Sequence, residues 1–182
     1  MKRALVPALM ISLLLCACGG EEAEQRIERQ RDALAAAEEI SFTARVRADL
    51  GDEVFLCVLD CAQTPEGLTV EVEEPEEIAG IRAHAAGGET TLEYEGVILG
   101  LGGEADGPLG AMPLPLRALT EGHVIRAWEE DGGALVAAEI YADDDYALTL
   151  WFDGESLAPR CASVSEDGSE FLRCDFEEFR YS

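Results

Sequence analysis

Residues 40–50 run Ile-Ser-Phe-Thr-Ala-Arg-Val-Arg-Ala-Asp-Leu, with apolar and polar side chains in strict alternation. Only a half-buried strand has a period of two, so this segment needs partners on both edges and a core beneath one face. Gly51-Asp52 then suits a two-residue hairpin turn with glycine first. That turn sets Phe42 opposite Cys61, Ala44 opposite Leu59, Val46 opposite Cys57 and Ala48 opposite Phe55. All eight are apolar and share one face, as a correct register requires. A second turn in Thr64-Pro65-Glu66-Gly67 sets Cys61 opposite Val70 and Leu59 opposite Val72. A three-stranded meander follows from side-chain chemistry alone.

The same reasoning extends along the chain. Glu21 to Glu39 reads as a helix, with Ile27, Leu34 and Ala37 at helical spacing. Ile81–His84 and Thr90–Tyr94 pair about Gly87-Gly88, and Val97–Leu101 continues as strand. Gly102 to Met112 is a loop with Gly and Pro, and Pro113 to Glu121 is a short helix with Pro at its start and Gly122 after its end. A second meander spans residues 123–152, turning at Asp131-Gly132 and at Asp143-Asp144-Asp145. It places Ile125, Ala127, Val136, Ala138, Ile140, Leu148, Leu150 and Phe152 on one face. The final hairpin turns at Asp167-Gly168, a type I′ signal. Its register sets Cys161 opposite Cys174 at a non-hydrogen-bonded pair, where Cα atoms approach to about 4.5 Å. That lies within the disulfide range of about 4.4–6.8 Å, so a Cys161–Cys174 bond is expected. Cys57 and Cys61 share a strand face about 13 Å apart, too far to bond to each other, and are read as buried thiols.

The N-terminus fixes compartment. Met1-Lys2-Arg3 is a positive n-region, and Ala4–Cys16 is an apolar run of 13 residues. That length suits a secretory signal and is too short to span a membrane. Leu15-Cys16-Ala17-Cys18 resembles the bacterial lipobox, with a small residue directly before the cysteine that accepts lipid. Cys18 is therefore the expected lipidation site, and a diacylated cysteine supplies the two chains that stable anchoring needs. The expected organisation is a signal peptide over 1–17, an anchor and tether over 18–30, and one domain over 31–182.

Removing Lys2 and Arg3 from the 13 basic residues leaves 11 arginines against 38 acidic residues, 11 − 38 = −27. Nothing in that balance would neutralise phosphates, so nucleic acid is excluded as a partner. Docking to a basic protein is compatible with it. Catalytic patterns are absent. Gly-x-Ser-x-Gly does not occur, Gly100-Leu101-Gly102-Gly103 leads to no Lys-Ser/Thr, and the two histidines, His84 and His123, read as rim or surface residues. Glu73, Glu74, Glu76 and Glu77 flank Pro75 as a solvated bend. No cofactor or metal is expected. Trp128, Tyr141 and Trp151 fall on the face opposite the core and suggest either a contact surface or packing beneath the N-terminal helix.

A helix, then "ALAAAEEISFTARVRAD", then hairpins, a Pro-led helix and hairpins ending in "FDGESLAPRCASVSEDGSEFLRCDF" looks like the lipoprotein-carrier (Lol-type) family. Within that type it resembles small lipoproteins of spore-forming bacteria, including germination lipoproteins that bind and regulate a cell-wall amidase. The resemblance implies a mainly β fold, an antiparallel meander sheet curved into an open half-barrel, with helices covering the concave face. It also implies a non-enzymatic role. Two readings follow: a membrane-anchored extracytoplasmic scaffold or regulator of an envelope or cell-wall protein, or a binder of a lipid in a cavity lined by Phe42, Val46, Leu59, Val72, Ile125, Ile140 and Leu150.

Overall fold

The computed structural model describes residues 18–49, 51, 53–87, 89–100, 113–141 and 146–182, with the side chains of 18–20 outside the description. The expected Gly102–Met112 loop, the Asp143-Asp144-Asp145 turn and the signal segment lie outside the described residues.

Helix α1 spans Cys18–Ala35, so the stretch expected as tether is helical, and Ala23 and Ile27 are buried. Strands β1 (Ile40–Asp49), β2 (Val54–Thr64), β3 (Gly67–Glu74), β4 (Arg82–Ala86), β5 (Glu89–Tyr94) and β6 (Val97–Gly100) form the first meander. Helix α2 (Pro113–Thr120) precedes the second, built of β7 (His123–Glu130), β8 (Leu135–Tyr141), β9 (Ala147–Asp153), β10 (Pro159–Glu166) and β11 (Ser169–Tyr181). The strands make one antiparallel sheet in the order β6-β5-β4-β3-β2-β1-β11-β10-β9-β8-β7. It does not close, so it is an open half-barrel. The β1–β2 and β2–β3 registers are those the alternation requires, with Phe42 opposite Cys61 and Leu59 opposite Val72.

β1 joins the two meanders by pairing with β11. A continuous inner row therefore crosses the sheet: Val46, Cys174, Ala162, Leu150, Ala138 and Ala127. All six are buried. Burying each large apolar side chain in such rows stabilises by roughly 1.5–3 kcal/mol.

Two registers differ from expectation. β10 and β11 pair Val164 with Leu172 but Ser165 with Glu170, so Phe171 is an extra residue on β11. Beyond this bulge every partner is shifted by one, and a one-residue shift moves side chains to the other face. Cys161 consequently sits opposite Asp175, and Cys174 opposite Ala162. Cys161 belongs to the outer face and Cys174 to the core face, and the expected bond between them is not formed: Cys57, Cys61, Cys161 and Cys174 are free thiols. The second correction is Ile125. β7 and β8 are joined by a four-residue turn over 131–134 rather than the two residues Asp131-Gly132, and the register shifts between Val124 and Arg126. Val124 turns inward and Ile125 is 51% exposed. Gly154 packs against this turn: a Cβ there would collide with the Gly133 carbonyl oxygen.

Burial pushes the Cys61 and Cys161 thiols up to about 12 and raises Cys174 and Cys57 as well. Thiolates, the reactive form, are therefore scarce at neutral pH. Alkylating the denatured chain without reductant, read by mass spectrometry, is expected to label all four positions. The native chain should label first at Cys57, the one of the four that is half-buried. Two labels fewer at Cys161 and Cys174 would restore the bond.

Candidate functional site

The concave face is where six of the seven residues expected to line a cavity meet. Phe42, Val46, Leu59, Val72, Ile140 and Leu150 are each at most 3% exposed and belong to one apolar cluster. Ile125 does not join them. Ala23, Ile27 and Leu34 of α1, with Leu116 and Leu119 of α2, belong to the same cluster. The face is thus filled in part by the chain's own helices. α1 lies on β7 and against α2, and α2 lies against β9 and β10.

One polar clamp holds that cover. Arg31 is 4% exposed. Its Nε donates to the Ala118 carbonyl at 3.0 Å, and its guanidinium donates to the Glu121 carbonyl. Both carbonyls belong to the C-terminal end of α2, where main-chain acceptors lack intrahelical donors and a cation is favoured. Arg31 also pairs with Glu28 at 3.0 Å, and the Glu28 Oε1 accepts the Val124 backbone N–H at 3.1 Å. Burial lowers the Arg31 pKa, opposed by Glu28. One helix turn thereby fixes α1 to α2 and to β7. Arg31 is a functional residue that motif and spacing do not single out. Its signal was present, because Ile27, Arg31 and Leu34 share one helical stripe.

The outer face carries the tryptophans. Trp128 and Trp151 flank Ala137 across β7, β8 and β9 and are half-buried. Both indole N–H groups donate to Glu130, at 2.7 and 3.0 Å. Arg126 lies 5.1 Å over Trp128, and Arg173 lies 5.6 Å over Trp151. The indoles lie along the sheet, which explains why Ala137 and Cys161 are buried on this face. The Tyr141 ring lies 5.0 Å from that of His123 at the strand end, tilted by 37°. His84 sits beside Thr69, its Nδ1 at 3.2 Å from the hydroxyl. Glu73 and Glu74 end β3 and Glu76 and Glu77 lie in the bend after it, all four exposed. Among the described residues no three His, Cys, Asp or Glu side chains converge on a metal position, and no helix is long and apolar enough to cross a membrane.

Comparison with known proteins agrees with this architecture at the level of fold. No family model and no curated protein matches the sequence. Among solved structures, a putative outer membrane lipoprotein-sorting protein domain from Vibrio parahaemolyticus is 11% identical over 88% of this chain and 93% of that one, with a TM-score of 0.51. A protein of the DUF1329 family from Desulfovibrio piger is 10% identical over 88% and 92%, with a TM-score of 0.50. The complex of the CwlD amidase with the GerS lipoprotein from Clostridioides difficile also matches, at 15% identity over 89% and 95%, TM-score 0.46. The chain has the open half-barrel fold of the Lol-type lipoproteins.

Replacing Arg31 with Met is expected to lower stability by about 3 kcal/mol, because it leaves two carbonyls and Glu28 without their partner. Thermal unfolding followed by circular dichroism should show a fall of roughly 10 °C for a chain of this size. An unchanged midpoint would remove the clamp from the account.

Proposed function

We propose that this chain is a lipoprotein held on the extracytoplasmic face of a cell membrane through Cys18, and that it acts there as a non-enzymatic scaffold or regulator of an envelope or cell-wall protein. Lipobox-like chemistry before Cys18 supports the anchor. The observation that carries the scaffold role is the packing of the concave face. Its apolar residues share one cluster with the chain's own helices, while large apolar side chains remain exposed elsewhere, at Val54, Phe55, Leu56, Ile78 and Val97. Binding through the outer surface needs no emptied interior. A lipid held among Phe42, Val46, Leu59, Val72, Ile140 and Leu150 is the competing reading, and it needs concave apolar volume that is free. Acidity suits the first reading too, since a strongly negative body steers basic proteins toward it.

Expression of the full chain in a bacterial host, followed by membrane fractionation and in-cell photo-cross-linking, tests this. The wild-type chain is expected in the membrane fraction and cross-linked to an envelope protein. Cys18→Ala should leave the membrane fraction. A chain that fractionates as soluble, or that yields no protein cross-link, contradicts the proposal.

A further inference from the structure

Several of the exposed large apolar side chains gather at one end of the sheet. Val54, Phe55 and Leu56 open β2, Ile78 lies in the bend between β3 and β4, and Val97 opens β6. Antiparallel order places all of them at the same end of the half-barrel. Leu56 is 68% exposed and Val54 51%. Val54, Phe55 and Leu56 are consecutive, and an exposed apolar group rimmed by polar residues marks an interaction site.

The backbone beneath that group is half-paired. On one side Val54, Phe55, Leu56 and Cys57 pair with Asp49, Ala48, Arg47 and Val46 of β1. On the other side pairing with β3 begins only at Val58, opposite Glu74. β3 ends there, and the chain turns away through Pro75. The outer edge of Val54–Cys57 thus has no strand partner among the described residues. A groove of about 360 Å³ runs across the outer face from β11 over β1 to Leu56, Val58, Glu74 and Pro75. Its end at Glu74 and Pro75 meets the edge of Leu56 and Cys57 that β3 leaves unpaired.

Charge selects the occupant. Arg45, Arg47 and Arg173 also reach the groove, but each is held by a carboxylate: Glu177 at 2.7 Å, Asp49 at 3.4 Å and Asp175 at 4.0 Å. Glu53, Glu73, Glu74, Glu76 and Glu77 are exposed, and none is in an ion pair among the described residues. Glu74 attracts Arg45, which leaves Glu53, Glu73, Glu76 and Glu77 as carboxylates without an ion-pair partner among the described residues, in the segments that flank the apolar edge. We infer that the Val54–Cys57 edge docks an extended segment of a partner protein, one that alternates apolar side chains with Lys or Arg and adds a strand beside β2 where β3 stops. Main-chain pairing would supply affinity, Val54 and Leu56 the apolar contacts, and the carboxylates the selection of sign. This rests on the scaffold reading and assigns its surface.

The test uses the mature chain with Cys18→Ser and a synthetic peptide, Lys-Val-Lys-Val-Lys-Leu-Lys, with Glu-Val-Glu-Val-Glu-Leu-Glu as control. Amide NMR is expected to show saturable shifts and slowed exchange at 54–57 with the basic peptide, weakening as salt rises. Leu56→Asp should weaken binding about tenfold or more, as removal of a central contact does. The exposure of Leu56 leaves the fold intact, which an unchanged melting midpoint confirms. Glu76→Lys with Glu77→Lys should weaken binding without touching the apolar contacts. No binding, shifts centred on another edge, equal binding of the acidic peptide, or self-association through 54–57 in sedimentation would overturn the inference. In cells the two levels separate: cross-links to an envelope protein that persist in Leu56→Asp overturn this docking site and leave the scaffold standing. Their absence from the wild-type chain removes the scaffold itself.

Discussion

β1 is hydrogen-bonded along both edges, to β2 on one side and to β11 on the other. The two neighbours come from opposite ends of the domain. Without the β1–β11 pairing the chain would be two meanders, each with a bare edge and half a core. With it, the inner rows run unbroken from β2 to β7. The joint is extended past the strand by Glu38 N–H to the Ser182 carbonyl at 2.7 Å and Ser182 N–H to the Glu39 carbonyl at 3.1 Å. Pairing across so many intervening residues carries a large loop-closure cost. The apolar rows on the core face offset it.

The sheet alone leaves one face apolar and open. α1 and α2 cover part of that face, and the cover is secured by Arg31 and Glu28 as well as by burial. A buried arginine is costly unless every donor is used. Here the donors go to the open C-terminal carbonyls of α2 and to Glu28. The outer face is organised differently, by indoles lying over small residues and by cross-strand arginine–carboxylate pairs such as Arg126 with Glu139 and Arg82 with Glu71. Exposed pairs of this kind contribute little each, so they set surface character more than stability.

Much of this was legible in the sequence. Alternation plus a turn residue determines register, and Phe42 to Ala48 opposite Cys61 to Phe55 follows directly. What alternation cannot reveal is an inserted residue. The bulge at Phe171 moves Cys174 to the core face while Cys161 stays outside, and nothing in the local pattern announces it because both faces there hold buried small residues. The one-residue register shift between Val124 and Arg126 exposes Ile125 in the same way. The β1–β11 pairing is non-local, so no neighbouring residues encode it. Arg31 was visible as a charge in an apolar stripe, but its partners at Ala118, Glu121 and Val124 come from distant segments. The half-paired edge at Val54–Cys57 depends on where β3 ends, which is a tertiary fact.

Whether the concave face is core or container separates the scaffold from a lipid carrier. Native mass spectrometry of the Cys18→Ala chain, purified gently from the host in which the anchored chain is made, decides between them. The account predicts the bare polypeptide mass, because the inner rows and the helices occupy one another. A co-purifying phospholipid or acyl-chain mass, lost on unfolding, would contradict it and make the half-barrel a binding pocket.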